Sequence, residues 1–348
     1  MAANLDKHVT VMAQQLGLEW QRDPIGSIVA YCIKKISDWT DGGSAVRTIP
    51  EVEALACEKL QLVFEEVWSD QDLDEIIRKY VEKGELVFAS LKTTFDLHTY
   101  AALFERRKAT KSAKDRHVAV IDCRGNKASR RFFTRWHEIA HMLTLYEQLE
   151  FPFHRSTIGG QNPRERLMDK IAGEVAFYGP IFTPGLKDEL AKVGYLTFQI
   201  VDNVRNNLCP DASFQASLIA CAKRADIPVV YVEGRMALKK AERSDIESGQ
   251  QHLFEDTIPQ EKFRAAVAIQ NASAQATEFD IHQNMTIPKE SVLHKIYHQP
   301  DPLNKSQMYG EENLNIWVHS DGRAIGSRNI RVEGKVFDDK VIAIIQPM

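Results

Sequence analysis

The residues best able to do chemistry lie in one short run, RRFFTRWHEIAHML, over 130–143. His137 and His141 stand four apart, and Glu138 directly follows the first. On an α-helix such a pair shares one face, roughly 6 Å apart along the axis, so both imidazoles can offer lone pairs to one metal ion. Glu138, one position round the helix, can reach water at such a metal without being a ligand, as a general base must. The bland reading is two histidines that happen to share a helix face.

A zinc site of this kind needs a third protein ligand. The segment PRERLMDKIAGEVAFYGP offers Glu165, Asp169 and Glu174. Glu165 shares a helical face with Met168, Ala172, Val175 and Ala176, so it points toward the core, where a carboxylate needs a partner. Asp169 lies at the edge of that face. Glu174 falls with Ile171 and Leu167 and serves equally as a solvated charge.

Several elements must position these groups. The run RHVAVIDC reads as a strand whose Val118–Asp122 stretch offers an edge to an extended substrate. Ser129 is the expected cap of the motif helix, which runs to about Leu149. A loop with Pro152, Gly159, Gly160 and Pro163 follows, and a second helix starts near Pro163 and stops before Gly179-Pro180. Residues 1–85 read as mainly helical, with a cap at Ser69-Asp70-Gln71-Asp72. The stretch from Glu85 to Arg107 reads as short strands, and 186–240 as helical pieces. Polar residues 241–262 form the expected linker. Beyond them, 263–348 reads as a small β-rich domain with one helix around Glu290–Tyr297.

With 348 residues, 44% hydrophobic and 26% charged, the chain is long enough for two or more packed domains. The net charge of −4 argues against a protein that coats nucleic acid generally. No signal-peptide pattern or long apolar run is present, so a soluble cytoplasmic protein with no membrane partner is expected. Five scattered cysteines form no CxxC pair, which fits a reducing compartment and excludes a cysteine-cluster zinc module.

Taken together, HVAVID, RRFFTRWHEIAHML and ERLMDKIAGEVAFYGP resemble the ImmA/IrrE family of bacterial metallopeptidases. The resemblance covers roughly 60–235 and is specific over 118–184. It implies zinc on His137, His141 and Glu165, one ion per chain, with Glu138 as general base. Tyr178-Gly179-Pro180 departs from the tighter ending common in the family, and Trp136 and Ala140 stand where smaller or glycine residues are usual. No ligand is lost by these changes.

The fold implied is α+β: a zincin-like core of small sheet plus motif helix, helical flanks, and a C-terminal β-rich, GAF-like regulatory domain. The expected division is 1–85 as the N-terminal helical part, 86–240 as the peptidase core with its following helical segment, 241–262 as linker and 263–348 as sensor domain. The activity implied is a zinc endopeptidase that cuts a specific protein partner, a helix-turn-helix repressor, in a stress or anti-phage response. The rival from another class is a signal-binding or DNA-associated regulator with a vestigial site. An aminopeptidase of small peptides is a third reading.

Two secondary features accompany the motif. Cys123 ends the strand before the motif helix and is a candidate inhibitory zinc ligand, by occupying the open position as thiolate. Residues 105–135 hold eleven Lys/Arg against three carboxylates, a surplus of eight. A solvated loop is the ordinary explanation of such a run. The sharper one is a basic rim in which Arg106, Arg107, Lys108, Lys111, Lys114 and Arg116 contact an acidic partner or single-stranded nucleic acid as activator. Tyr178 and His154 are candidates to assist near the metal. His294/His298, a second i,i+4 pair, lacks a following glutamate and a third ligand.

Overall fold

The computed structural model describes residues 7–19, 22–41, 46–110, 112–145, 162–239, 242, 260–277, 279–298, 307–337 and 339–348, and the backbone of 153–156. The architecture is mixed α+β, and the chain divides into two units: Met1–Phe182 with Asn207–Ser213, and Thr183–Asn206 with Phe214–Met348.

In the first unit three helices, α1 (Lys7–Gln15), α2 (Pro24–Thr40) and α3 (Ile49–Leu60), lead into strand β1 (Leu62–Val67). The described part of 1–85 is mainly helical as expected, and β1 is a strand within it that the sequence reading did not place. Its sequence, LVFEEV, is strand-like, but paired glutamates mask the apolar alternation. Gln61, with φ of 51°, ends α3 in the left-handed region and turns the chain directly into the strand.

Helix α4 (Asp70–Val81) starts as expected. Ser69 Oγ accepts from the Asp72 N–H, and the Asp72 carboxylate accepts in return from the Ser69 N–H. The following stretch is less extended than its β-branched residues suggest. It makes a 3₁₀ turn at Leu86–Ser90 and a short helix α5 (Leu91–Thr94) before strand β2 (Thr99–Glu105) begins.

Strand β3 (His117–Asp122) runs parallel to β1 on one side and antiparallel to β2 on the other. Every residue of β3 is buried, which explains its unbroken apolar run. This central position removes the expected edge at Val118–Asp122: both sides of that strand are already paired. A short strand β4 (Phe153–Ser156) pairs along the far side of β2.

Alternation along the strands sorts the two faces of this sheet. Ala102, Phe104, Val118 and Val120 join Leu73, Ile76, Tyr80 and Phe88 in one core. On α6 (Arg131–Leu143), which carries the motif, Trp136, Ile139, Ala140 and Leu143 are buried. This helix packs most extensively against α7 (Pro163–Val175), and also touches β2 and β3.

The second unit includes most of α8 (Gly179–Val193) and of α9 (Phe198–Leu208), then α10 (Phe214–Arg224) and five strands: β5 (Val230–Ala237), β6 (Lys262–Gln270), β7 (Gln307–Asn313), β8 (Asn329–Phe337) and β9 (Lys340–Pro347). Two short helices, α11 (Ala272–Gln275) and α12 (Val292–His298), lie between β6 and β7. The sheet is antiparallel throughout, in the order β6-β5-β9-β8-β7. Counted from its own first strand, that order is 2-1-5-4-3.

β5 departs from the helical reading of 186–240. Its Val230-Tyr231-Val232 run is β-branched and aromatic, and it pairs with both β6 and β9. Apart from residues 242 and 260–262, the expected linker 241–262 lies outside the described residues. One face of the sheet is filled by Phe279, Leu293, Ile296 and Trp317. On the other, Glu333 accepts from the Phe198 N–H, and the Gln346 amide pairs with both backbone groups of Leu196.

Candidate metal centre

The motif helix begins one residue later than the expected cap allows. Arg130 is its N-cap with no side-chain cap bond, while Ser129 sits in the preceding 3₁₀ turn and donates to the Asn126 carbonyl. α6 ends at Leu143, short of Leu149. Thr144 Oγ1 donates to the Ala140 and His141 carbonyls and lies 3.5 Å from Met168 Sδ, tying the end of α6 to α7. α7 starts on Asn162, whose side chain accepts from the Arg164 N–H, with Pro163 in the first turn.

This packing brings His137, His141 and Glu165 together. Their ligand atoms all lie within 4.8 Å of one another, the sole such group among the described residues. His137 Nε2 is 3.2 Å from His141 Nε2 and 3.0 Å from Glu165 Oε2, and His141 Nε2 is 3.5 Å from Glu165 Oε1. Both histidines are all but closed to solvent, at 1% and 2% exposure, and Glu165 is half-buried.

Asp169 is not one of the three. Its Oδ1 accepts from His137 Nδ1 at 2.8 Å, on the ring nitrogen away from Glu165. With Nδ1 turned to Asp169, Nε2 is the ring nitrogen left to face a cation. Burial first, with the neighbouring His137 and Arg164 charges, pushes His141 down to about 4 against the pull of Glu165. Burial would raise Glu165, but the adjacent His137 and His141 rings outweigh it and hold the carboxyl well below its usual range.

Three electron-pair donors therefore converge with separations of 3.0–3.5 Å. Tetrahedral zinc with bonds of about 2.0–2.1 Å holds its donor atoms roughly 3.3 Å apart. The donor set and its spacing fit a zinc-sized cation. Glu138 is buried beside the pair at 1% exposure. Glu174 lies further along α7, outside the group.

The other candidates are placed differently. Cys123 lies outside the triad, buried at 2% exposure, with its N–H donating to the Val67 carbonyl. Burial, then the nearby Glu66 charge, pushes its thiol up to about 11. The Tyr178 hydroxyl lies 3.4 Å from Thr40 Oγ1. The side chain of His154 lies outside the described residues.

Much of the basic run is neutralised within the fold. Arg106 pairs with Asp115 and Glu85, and Arg116 with Glu105. Arg124 and Lys127 hold Asp122 at the end of β3. On α6, Arg131 pairs with Glu66 and Asp211, and Arg135 with Glu53 and Glu66. Arg107 and Lys108 use their backbone N–H groups on Glu85. Among the described residues, the side chains of Arg107, Lys108 and Lys114 have no carboxylate partner; Lys111 lies outside them.

Sequence reasoning weighed Asp169 as a ligand and missed its role beside His137. The i,i+4 spacing from Glu165 held the signal, since it sets both carboxylates toward α6. Glu53 and Glu66, the charge partners of α6, carried no local signal because they come from α3 and β1. No protein-family model matches the chain, and no curated protein matches it. No helix among the described residues is long and apolar enough to cross a membrane.

Proposed function

We propose that the chain is a zinc-dependent endopeptidase. One observation carries the reading: two imidazole nitrogens and a carboxylate meet at metal-ligand spacing, with Glu138 buried on the same helix. When bound there, zinc would act as a Lewis acid, lowering the pKa of water from 15.7 toward roughly 7 and polarising the scissile carbonyl.

The chain's own residues supply the rest. Glu138 accepts a proton at its carboxylate from the attacking water and returns it to the departing amine nitrogen. Asp169 fixes the His137 ring and its tautomer through Nδ1. The low pKa of His141 keeps its lone pair available at neutral pH.

The resemblance to ImmA/IrrE peptidases supports a narrow substrate, a helix-turn-helix repressor, and a regulated role in a stress or anti-phage response. The 2-1-5-4-3 antiparallel strand order supports a GAF-like regulatory part. Among the described residues, single-stranded nucleic acid as activator would draw on Arg107, Lys108 and Lys114, since Arg106 and Arg116 are engaged with carboxylates.

The test combines zinc content with cleavage of helix-turn-helix proteins, beginning with any that a neighbouring reading frame encodes. The peptidase reading expects about one zinc per chain, cleavage by wild type, and none by Glu138→Gln. A Glu138→Gln chain that keeps full biological activity would establish the non-enzymatic regulator instead.

A further inference from the structure

A cavity of about 870 Å³ lies between α1 and the first turn of α7. Its walls are mostly carbon, from Val9, Val11, Met12, Pro163 and Leu167. Val11 stays 40% exposed on a helix whose neighbouring Val9 and Met12 are buried, so the apolar surface continues outward from the core. The size falls within the range of small-molecule sites, roughly 300–1,000 Å³.

The charged side chains among the described lining residues have one sign, beside the neutral Gln15 and Asn162. Lys7, His8 and Arg164 border the cavity, and no carboxylate is present among the described residues that line it. The thirteen-residue helix α7 also begins there, so its dipole adds partial positive charge at the same end. An apolar body would be received by the carbon walls. An acidic head would be received by the cations, and a basic head would be repelled.

The cavity is distinct from the metal centre, although both use α7. Glu165 and Asp169 face the histidines of α6. Arg164 and Leu167, about 100° to 160° away around the same helix, face the cavity.

We propose that this cavity binds a small amphipathic carboxylic acid, its apolar part against Val11, Met12 and Leu167 and its carboxylate toward Lys7, His8 and Arg164. The claim is independent of the peptidase reading, because neither the metal nor Glu138 lines the cavity.

Calorimetric titration of the full-length chain, as purified, with decanoate, and separately with decanol, tests it. Decanoate is expected to bind saturably, one per chain, at least ten-fold more tightly than decanol, and more weakly as salt rises. Val11→Glu and Lys7→Glu change exposed side chains, so both should keep the wild-type circular dichroism; each should weaken decanoate at least ten-fold. Absence of saturable binding, equal affinity for decanol, or unchanged affinity in a folded Val11→Glu chain would overturn the proposal. Loss of peptidase activity in every preparation would leave this result standing, so failures of the two readings are distinguishable.

Discussion

Asp169 accepts a hydrogen bond from His137 Nδ1 at 2.8 Å, while Nε2 of the same ring faces Glu165 at 3.0 Å. One imidazole is thus held between two carboxylates four residues apart on α7. The outer one fixes which nitrogen carries the proton, and the inner one helps define where a cation sits. Asp169→Asn should therefore weaken zinc affinity about 10- to 100-fold without unfolding the chain. Competition with a zinc chelator measures this; unchanged affinity would show that the bond does not orient the ring.

Removing a ligand should do more. His141→Ala and Glu165→Ala should each fall from about one zinc per chain to near zero under equilibrium dialysis. Asp169→Ala should keep most of its zinc at saturating concentration. Equal loss in all three would mean that Asp169 belongs to the ligand set.

Glu138→Gln separates metal binding from chemistry. Zinc content should be unchanged, while cleavage of the cognate substrate falls by about 10² to 10⁴. A variant that loses zinc along with activity would show Glu138 to be structural.

The metal-free fold should weaken in acid. His141 has its pKa lowered to about 4 in the native state, so the unfolded chain binds more protons between its ordinary value of 6.5 and 4. Stability from this group is complete above about pH 6.5 and is lost as pH falls toward 4, by up to about 3 kcal/mol. Glu165, held below its usual range, acts in the same direction because it too must stay deprotonated in the native state. Urea denaturation of the apo chain at pH 7.5 and 4.5 should show this fall, and His141→Gln should reduce it.

Cys123 offers a sharper test than its position in the sequence allowed. With its thiol buried and pushed up to about 11, it should alkylate slowly in the native chain, and Cys123→Ala should leave zinc content and basal cleavage unchanged. A rise in basal cleavage in that variant would restore the inhibitory-ligand reading.

Features that depend on local spacing were legible in the sequence. The two histidines, the Ser69 cap, the Pro163 helix start and the inward face of Glu165 all follow from residues within one or two turns. Relations between distant segments were not. β1 reads ambiguously by itself and becomes a strand by pairing with β3, 55 positions later at Leu62 and His117. The charge surplus at 105–135 looked free because its partners, including Glu53, Glu66 and Glu85, lie well upstream. Sequence counts charges along the chain, whereas the fold neutralises them across it.

The third ligand stands on a different helix from the first two, with 23 residues between His141 and Glu165. A cation held by all three would close that span, fastening α6 to α7 where Thr144 and Met168 already touch. Its binding energy would then be folding energy for this part of the chain. Starved of zinc, such a protein becomes easier to degrade as well as inactive, and its abundance in the cell would follow the metal supply.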